Sequence, residues 1–100
     1  MEKFLESGYD INGEKYYSFE QIGEYFFPEK DPFDAKSKVR YIYKYRRKDL
    51  EQYTTRTKCW WSNQTIVVLS LRGVRVLCEF IKRSDRNEKL GNFIKCINFS

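Results

Sequence analysis

The apolar positions of this chain change period along its length, and each change marks an element. Tyr9-Asp10-Ile11 and Glu14 to Tyr17 flank Asn12-Gly13. Asn-Gly supplies the positive φ of a two-residue type I′ turn, so Gly8 to Ser18 predicts a β-hairpin. The period then lengthens: Phe19, Ile22, Gly23 and Phe26 follow at helical spacing. Ser18 with Gln21 three residues on forms a capping box, and Pro28 ends the helix. Pro28 to Pro32 reads as a loop.

Two periods compete in the next segment, roughly Ala35 to Lys48. Read as a helix capped by Asp34, it puts Ala35, Val39, Ile42 and Arg46 on one face. Lys36, Arg40, Lys44 and Arg47 or Lys48 then form a basic stripe beside that face. Read as a strand, Val39, Tyr41, Tyr43 and Tyr45 alternate with Arg40, Ile42, Lys44 and Arg46. Three tyrosines raise the β propensity, but Ile42 falls on the wrong side of a strand and the Asp34 cap favours the helix.

Glu51 to Lys58 is polar and reads as loop or edge strand. Lys58 to Trp61 and Thr65 to Leu69, joined through Ser62-Asn63-Gln64, predict a second hairpin. Ser70 caps a helix with Leu71, Val74, Leu77, Cys78 and Ile81 on its apolar face. Asp85 with Glu88 forms another capping box, opening a last helix along Leu90, Phe93, Ile94 and Ile97. The expected architecture is α+β in one small domain over residues 1–100, two hairpins and four helices in the order ββ-α-α-ββ-α-α. The chain stops directly after the last helix, as an N-terminal domain of a longer protein would.

Composition narrows the function. The chain has 100 residues, 41% of them hydrophobic and 18% aromatic, too apolar for a disordered tail. Its longest uncharged run, Cys59 to Leu71, is 13 residues, short of the about 20 a transmembrane helix needs. Acids in Met1 to Ser7 argue against a signal peptide, and the expectation is an intracellular chain with no membrane partner. It has no histidine, which removes Ser–His and Cys–His nucleophile pairs and imidazole zinc sites. Cys59, Cys78 and Cys96 form no C-x-x-C pair, and Cys78 and Cys96 read as core residues. Neither a phosphate-binding P-loop nor a dinucleotide fingerprint occurs among the glycines. We expect no catalytic residue, metal, cofactor or small-molecule substrate.

Charge is segregated. Met1 to Ala35 holds three bases and nine acids, net −6; Lys36 to Lys58 holds nine bases and two acids, net +7; the remainder is +4. With a pI near 9.1, such a field is the footprint of a polyanion binder, although charge alone speaks to association and not to fold. The nine bases, Lys36, Lys38, Arg40, Lys44, Arg46, Arg47, Lys48, Arg56 and Lys58, are the candidate phosphate contacts. Arg40, Arg46 and Arg47 are the candidates for reading base edges. Tyr41 and Tyr45 are candidates for stacking on bases, whereas Tyr43 reads as packing against the preceding helix. Trp60 and Trp61 cannot both face inward from a strand, so the outward ring either covers a neighbouring helix or marks an interface.

The segments NGEKYYSFEQIGEYF, KVRYIYKYRRKDLEQY and TIVVLSLRGVRVLCEFIKRSDRNEKLGNFIKCI together resemble the BRO-N domain. That domain stands at the N-terminus of baculovirus repeated-ORF proteins and phage antirepressors. The closest correspondence is a strand running into Leu69-Ser70, then Gly73-Val74, Leu77, Arg83-Ser84, Glu88-Lys89 and Phe93. The family's Leu-Gly-Tyr after the first helix is replaced by Tyr25-Phe26-Phe27, and Ile94 or a neighbour stands where a tryptophan is expected. The resemblance implies a viral DNA-binding domain, often dimeric, whose partner is double-stranded DNA and whose compartment is the host nucleus for a nuclear virus. A protein-interaction or dimerisation module that meets an acidic partner is the alternative.

Overall fold

In the computed structural model, which describes residues 1–97, β1 (Tyr9–Ile11) and β2 (Glu14–Ser18) form the first hairpin. Asn12 (φ 52°) and Gly13 (φ 82°) both occupy the left-handed region, as a type I′ turn demands. A short helix that the apolar pattern does not announce, α1 (Glu2–Glu6), precedes the hairpin and buries Phe4. The Tyr17 hydroxyl donates to the Leu5 carbonyl at 2.7 Å, tying α1 to the sheet. Burial pushes that phenol up to about 12.

The Ser18–Gln21 capping box is formed in both directions: Ser18 Oγ accepts from the Gln21 N–H at 3.1 Å, and Gln21 Oε1 accepts from the Ser18 N–H at 2.9 Å. It opens α2 (Phe19–Phe26), which stops two residues before Pro28. The contested middle segment is helical. α3 (Pro32–Tyr45) starts earlier than the Asp34 cap predicts, because Asp31 accepts from the Phe33 N–H at 3.0 Å and Pro32 occupies the first turn. Asp34 instead lies inside that turn, where the helix dipole favours an acid. Ala35 and Val39 are buried, and Ile42 packs beside them. The helix breaks at Arg46, and α4 (Arg47–Leu50) and a 3-10 turn (Glu51–Tyr53) lead back to the sheet.

The second hairpin is displaced from its predicted place. β3 is Thr54–Lys58 and β4 is Thr65–Ser70, with Thr54 opposite Leu69 and Lys58 opposite Thr65. Cys59 to Gln64 form the connection, so Trp60 and Trp61 lie in a loop and not on a strand. The reason is that the β-branched Thr54, Thr55 and Thr57 make an adequate edge strand without an apolar face, since one side of an edge meets water. β4 also pairs with β2, giving a four-stranded antiparallel sheet in the order β1-β2-β4-β3.

Ser70 ends β4 and caps α5 (Leu71–Glu79) by accepting from the Gly73 N–H at 3.2 Å. The cap of α6 (Glu88–Cys96) is Asn87, not Asp85: Asn87 Oδ1 accepts from the Leu90 N–H at 2.9 Å, and Asp85 sits in a 3-10 turn (Arg83–Asp85) with its carboxylate on Lys38. Cys78 is buried as expected, and burial pushes its thiol up to about 12. Cys96 is exposed, because it falls off the stripe that Leu90 and Phe93 bury.

The helices cover the sheet face that carries Tyr17 and Leu69, and the core between them is aromatic. Phe26 and Phe93 meet edge to face at 5.1 Å between centroids, and Phe4 stacks on Tyr17 at 4.7 Å. Among the described residues every buried side-chain polar atom has a hydrogen-bond partner. A radius of gyration of 12.7 Å matches the about 13 Å of a packed 100-residue domain, so these elements make a single body.

Candidate nucleic-acid interface

The position of α3 is fixed by its inward face. At Gly23 of α2, a Cβ would stand 2.7 Å from the carbonyl carbon and 2.8 Å from the carbonyl oxygen of Ala35. Only glycine permits that approach. Val39 is buried below, and Tyr43 packs on Phe19 at 5.2 Å, as expected of it. With these residues inward, Lys36, Arg40 and Lys44, each four residues apart, form an exposed line along one flank.

Lys36 and Arg40 line a groove of about 400 Å³ whose other walls come from Phe19, Glu20, Trp61 and Thr65 to Val67. The edge strand extends this surface. Arg56 lies opposite Val67 and Lys58 opposite Thr65, and directly paired residues share a face of the sheet. By the same alternation, Arg56 and Lys58 share the face of Leu69, the one the helices cover, at its open edge. Two cations, Lys36 and Arg40, thus line the groove itself, and three more flank it: Lys44 one turn further along α3, and Arg56 and Lys58 on the edge strand β3. None of the five takes part in an ion pair among the described residues, where the pairs are Lys15–Asp10, Lys38–Asp85 and Arg75–Glu79.

The other four candidates go elsewhere. Lys38 points to the opposite flank of α3 and donates to Asp85 at 2.8 Å, with its ammonium 5.5 Å from the centre of the Phe27 ring. That hydrogen bond holds the Asp85 carboxyl below the ordinary carboxylate range, against a smaller opposing effect of desolvation. Arg46 lies over Phe80 at 4.9 Å and over Tyr45 at 5.7 Å. Arg47 and Lys48 are exposed on α4 and line neither wall of the groove. Tyr41 and Tyr45 stand apart from the groove cations; they stack on each other at 6.0 Å on the far flank of α3, beside Arg46.

Both tryptophans are largely exposed, Trp60 at 59% and Trp61 at 63%. Trp60 stacks on Tyr9 at 3.8 Å, covering the sheet face opposite the core, and Trp61 stands at the groove rim. The groove also contains Cys59, which the sequence reading did not single out. Desolvation alone would raise its thiol, but hydrogen bonds involving the Trp61 backbone and the Tyr9 and Ser62 side chains outweigh it and hold the thiol below its ordinary value. No helix among the described residues is long and apolar enough to cross a membrane, and no group of His, Cys, Asp or Glu among them could hold a metal ion. Compared with protein-family models, curated proteins and solved structures, the chain matches none.

Proposed function

We propose that the chain is a DNA-binding domain that holds the phosphate backbone of a duplex in the groove between α3 and the β3–β4 hairpin. The observation that carries this reading is that Lys36 and Arg40 line one groove while Lys44 on the same line of α3 and Arg56 and Lys58 on the edge strand flank it, all five without carboxylate partners among the described residues. A cation without a partner is available to a phosphate, and its binding releases condensed counterions. Arg40 is the groove residue equipped to read a base edge, because its guanidinium fork matches the acceptors of guanine. Glu20 in the same wall disfavours phosphate at that end of the groove. This reading agrees with the resemblance to BRO-N domains and takes the chain as viral, acting where viral DNA is transcribed or replicated, in the nucleus for a nuclear virus.

The test is charge reversal with a matched control. Lys36→Glu/Arg40→Glu/Lys44→Glu and Arg47→Glu/Lys48→Glu/Arg83→Glu carry the same net charge. Fluorescence anisotropy on a duplex should show binding strongly weakened by the first and weakened only modestly by the second; equal losses would reject the groove. A second reading is favoured by the two exposed tryptophans, which suit a homodimer or another protein partner. It expects Trp60→Ala, outside the groove lining, to change the sedimentation of the protein while leaving DNA binding intact.

A further inference from the structure

On the flank of α3 away from the groove lies a separate cleft of about 410 Å³, closed on its far side by Phe80, Lys82 and Asp85. Its lining differs in kind from that of the groove. Tyr41 and Tyr45, one turn apart, present nearly parallel rings, 22° between planes, that are 68% and 73% exposed. Such exposure leaves aromatic surface of both residues open to the cleft. The Arg46 guanidinium is held over Phe80 and Tyr45 and makes no ion pair among the described residues, and neither does Lys82. At the wall, Asp85 takes the Lys38 ammonium on Oδ2, and its Oδ1 accepts no hydrogen bond among the described residues.

Open aromatic faces beside unpaired cations, with one carboxylate oxygen free to accept, suit a ligand that is planar, anionic and carries N–H donors. The volume is that of a site for one small group, within the range of about 300–1,000 Å³ typical of ligand pockets. We propose that this cleft binds one unpaired nucleotide, with its base on the Tyr41–Tyr45 face, its phosphate between Arg46 and Lys82, and its N–H groups toward Asp85. The proposal deepens the nucleic-acid reading and rests on it: α3 would hold a duplex on one flank and an overhanging or displaced strand on the other. Stacking of this kind accepts any base, since every base offers a π-face.

The test compares a blunt duplex, the same duplex with a short single-stranded overhang carrying 2-aminopurine, and the labelled single strand alone. Wild-type protein should bind the overhang about tenfold more tightly than the blunt end and quench the 2-aminopurine. Tyr41→Ala/Tyr45→Ala, at two exposed positions, should lose both the preference and the quenching and keep its blunt-end affinity. Arg46→Gln/Lys82→Gln should make the salt slope for the overhang shallower by about 0.7, the share of the one single-strand phosphate they hold. Equal binding of blunt and overhanging ends, or quenching that survives loss of both tyrosines, overturns the cleft. Failure of the groove is distinguishable: wild-type protein that ignores the blunt duplex yet quenches the single strand through Tyr41 and Tyr45 refutes the groove and sustains the cleft.

Discussion

Asn87 does two jobs with one side chain. Its Oδ1 caps α6, and its Nδ2 donates to the Phe26 carbonyl at 2.7 Å, joining the end of α2 to the start of α6 across 61 residues of sequence. Loss of a cap costs about 1 kcal/mol, and a half-buried carbonyl left without a donor adds to it. Asn87→Ala should therefore destabilise the protein by about 2–3 kcal/mol in urea denaturation. Asn87→Asp, which keeps the acceptor and loses the donor, should fall between the two. Lys38 and Asp85 carry the pH dependence at this scale. The folded carboxyl is held below its unfolded value, so the pair stabilises the fold above the ordinary carboxylate range, and that contribution is lost as pH falls through the lowered value. Lys38→Met should bring the Asp85 carboxyl back toward the ordinary range in an NMR titration and flatten the acid limb of the stability curve. An unchanged Asp85 titration would show that the pair does not hold in solution.

At the scale of elements, the contact between α2 and α3 matters most, because it sets where the basic line points. A methyl group at position 23 meets backbone, not a movable side chain. Gly23→Ala should cost about 1–3 kcal/mol as overpacking and, by tilting α3 away from the hairpin, weaken duplex binding. Thermal denaturation and anisotropy on the same variant check the two effects. The elements legible in the sequence are those whose signals are local. Asn12-Gly13 dictates the first turn, Ser18 and Gln21 cap α2 within one turn of helix, and the apolar spacing of Ala35, Val39 and Ile42 decides α3 for helix over strand. What stayed hidden depends on partners far along the chain. β3 has no apolar face of its own, so its sequence leaves loop and edge strand open and β4 beside it decides for the strand; the cap of α3 is the exception, a local signal in which Pro32 favours Asp31 over Asp34. The site divides the same way. The spacing of Lys36, Arg40 and Lys44 shows in the sequence, whereas the joining of Arg56 and Lys58 needs the β3–β4 register. Likewise, the diversion of Lys38 and Arg46 needs Asp85 and Phe80, more than thirty positions further on.

For the whole molecule, the segregation of charge along the chain becomes a segregation in space only in part. Of the nine cations of the middle segment, Lys36 and Arg40 line the groove and Lys44, Arg56 and Lys58 flank it, two turn to the cleft on the far side of α3, and two stand on α4. A domain that bound polyanions through its overall charge would use all of them without distinction. A groove uses a definite number, and the salt dependence of binding counts it, because each neutralised phosphate contributes about −0.9 to the slope of log K against log salt. The most direct measurement is that slope on a blunt duplex for the wild-type protein and for Lys36→Glu/Arg40→Glu/Lys44→Glu. Five contacts predict a wild-type slope of about −4 to −5, and loss of three predicts about −2 for whatever binding remains. A slope near zero, or one the substitutions leave unchanged, would contradict the groove.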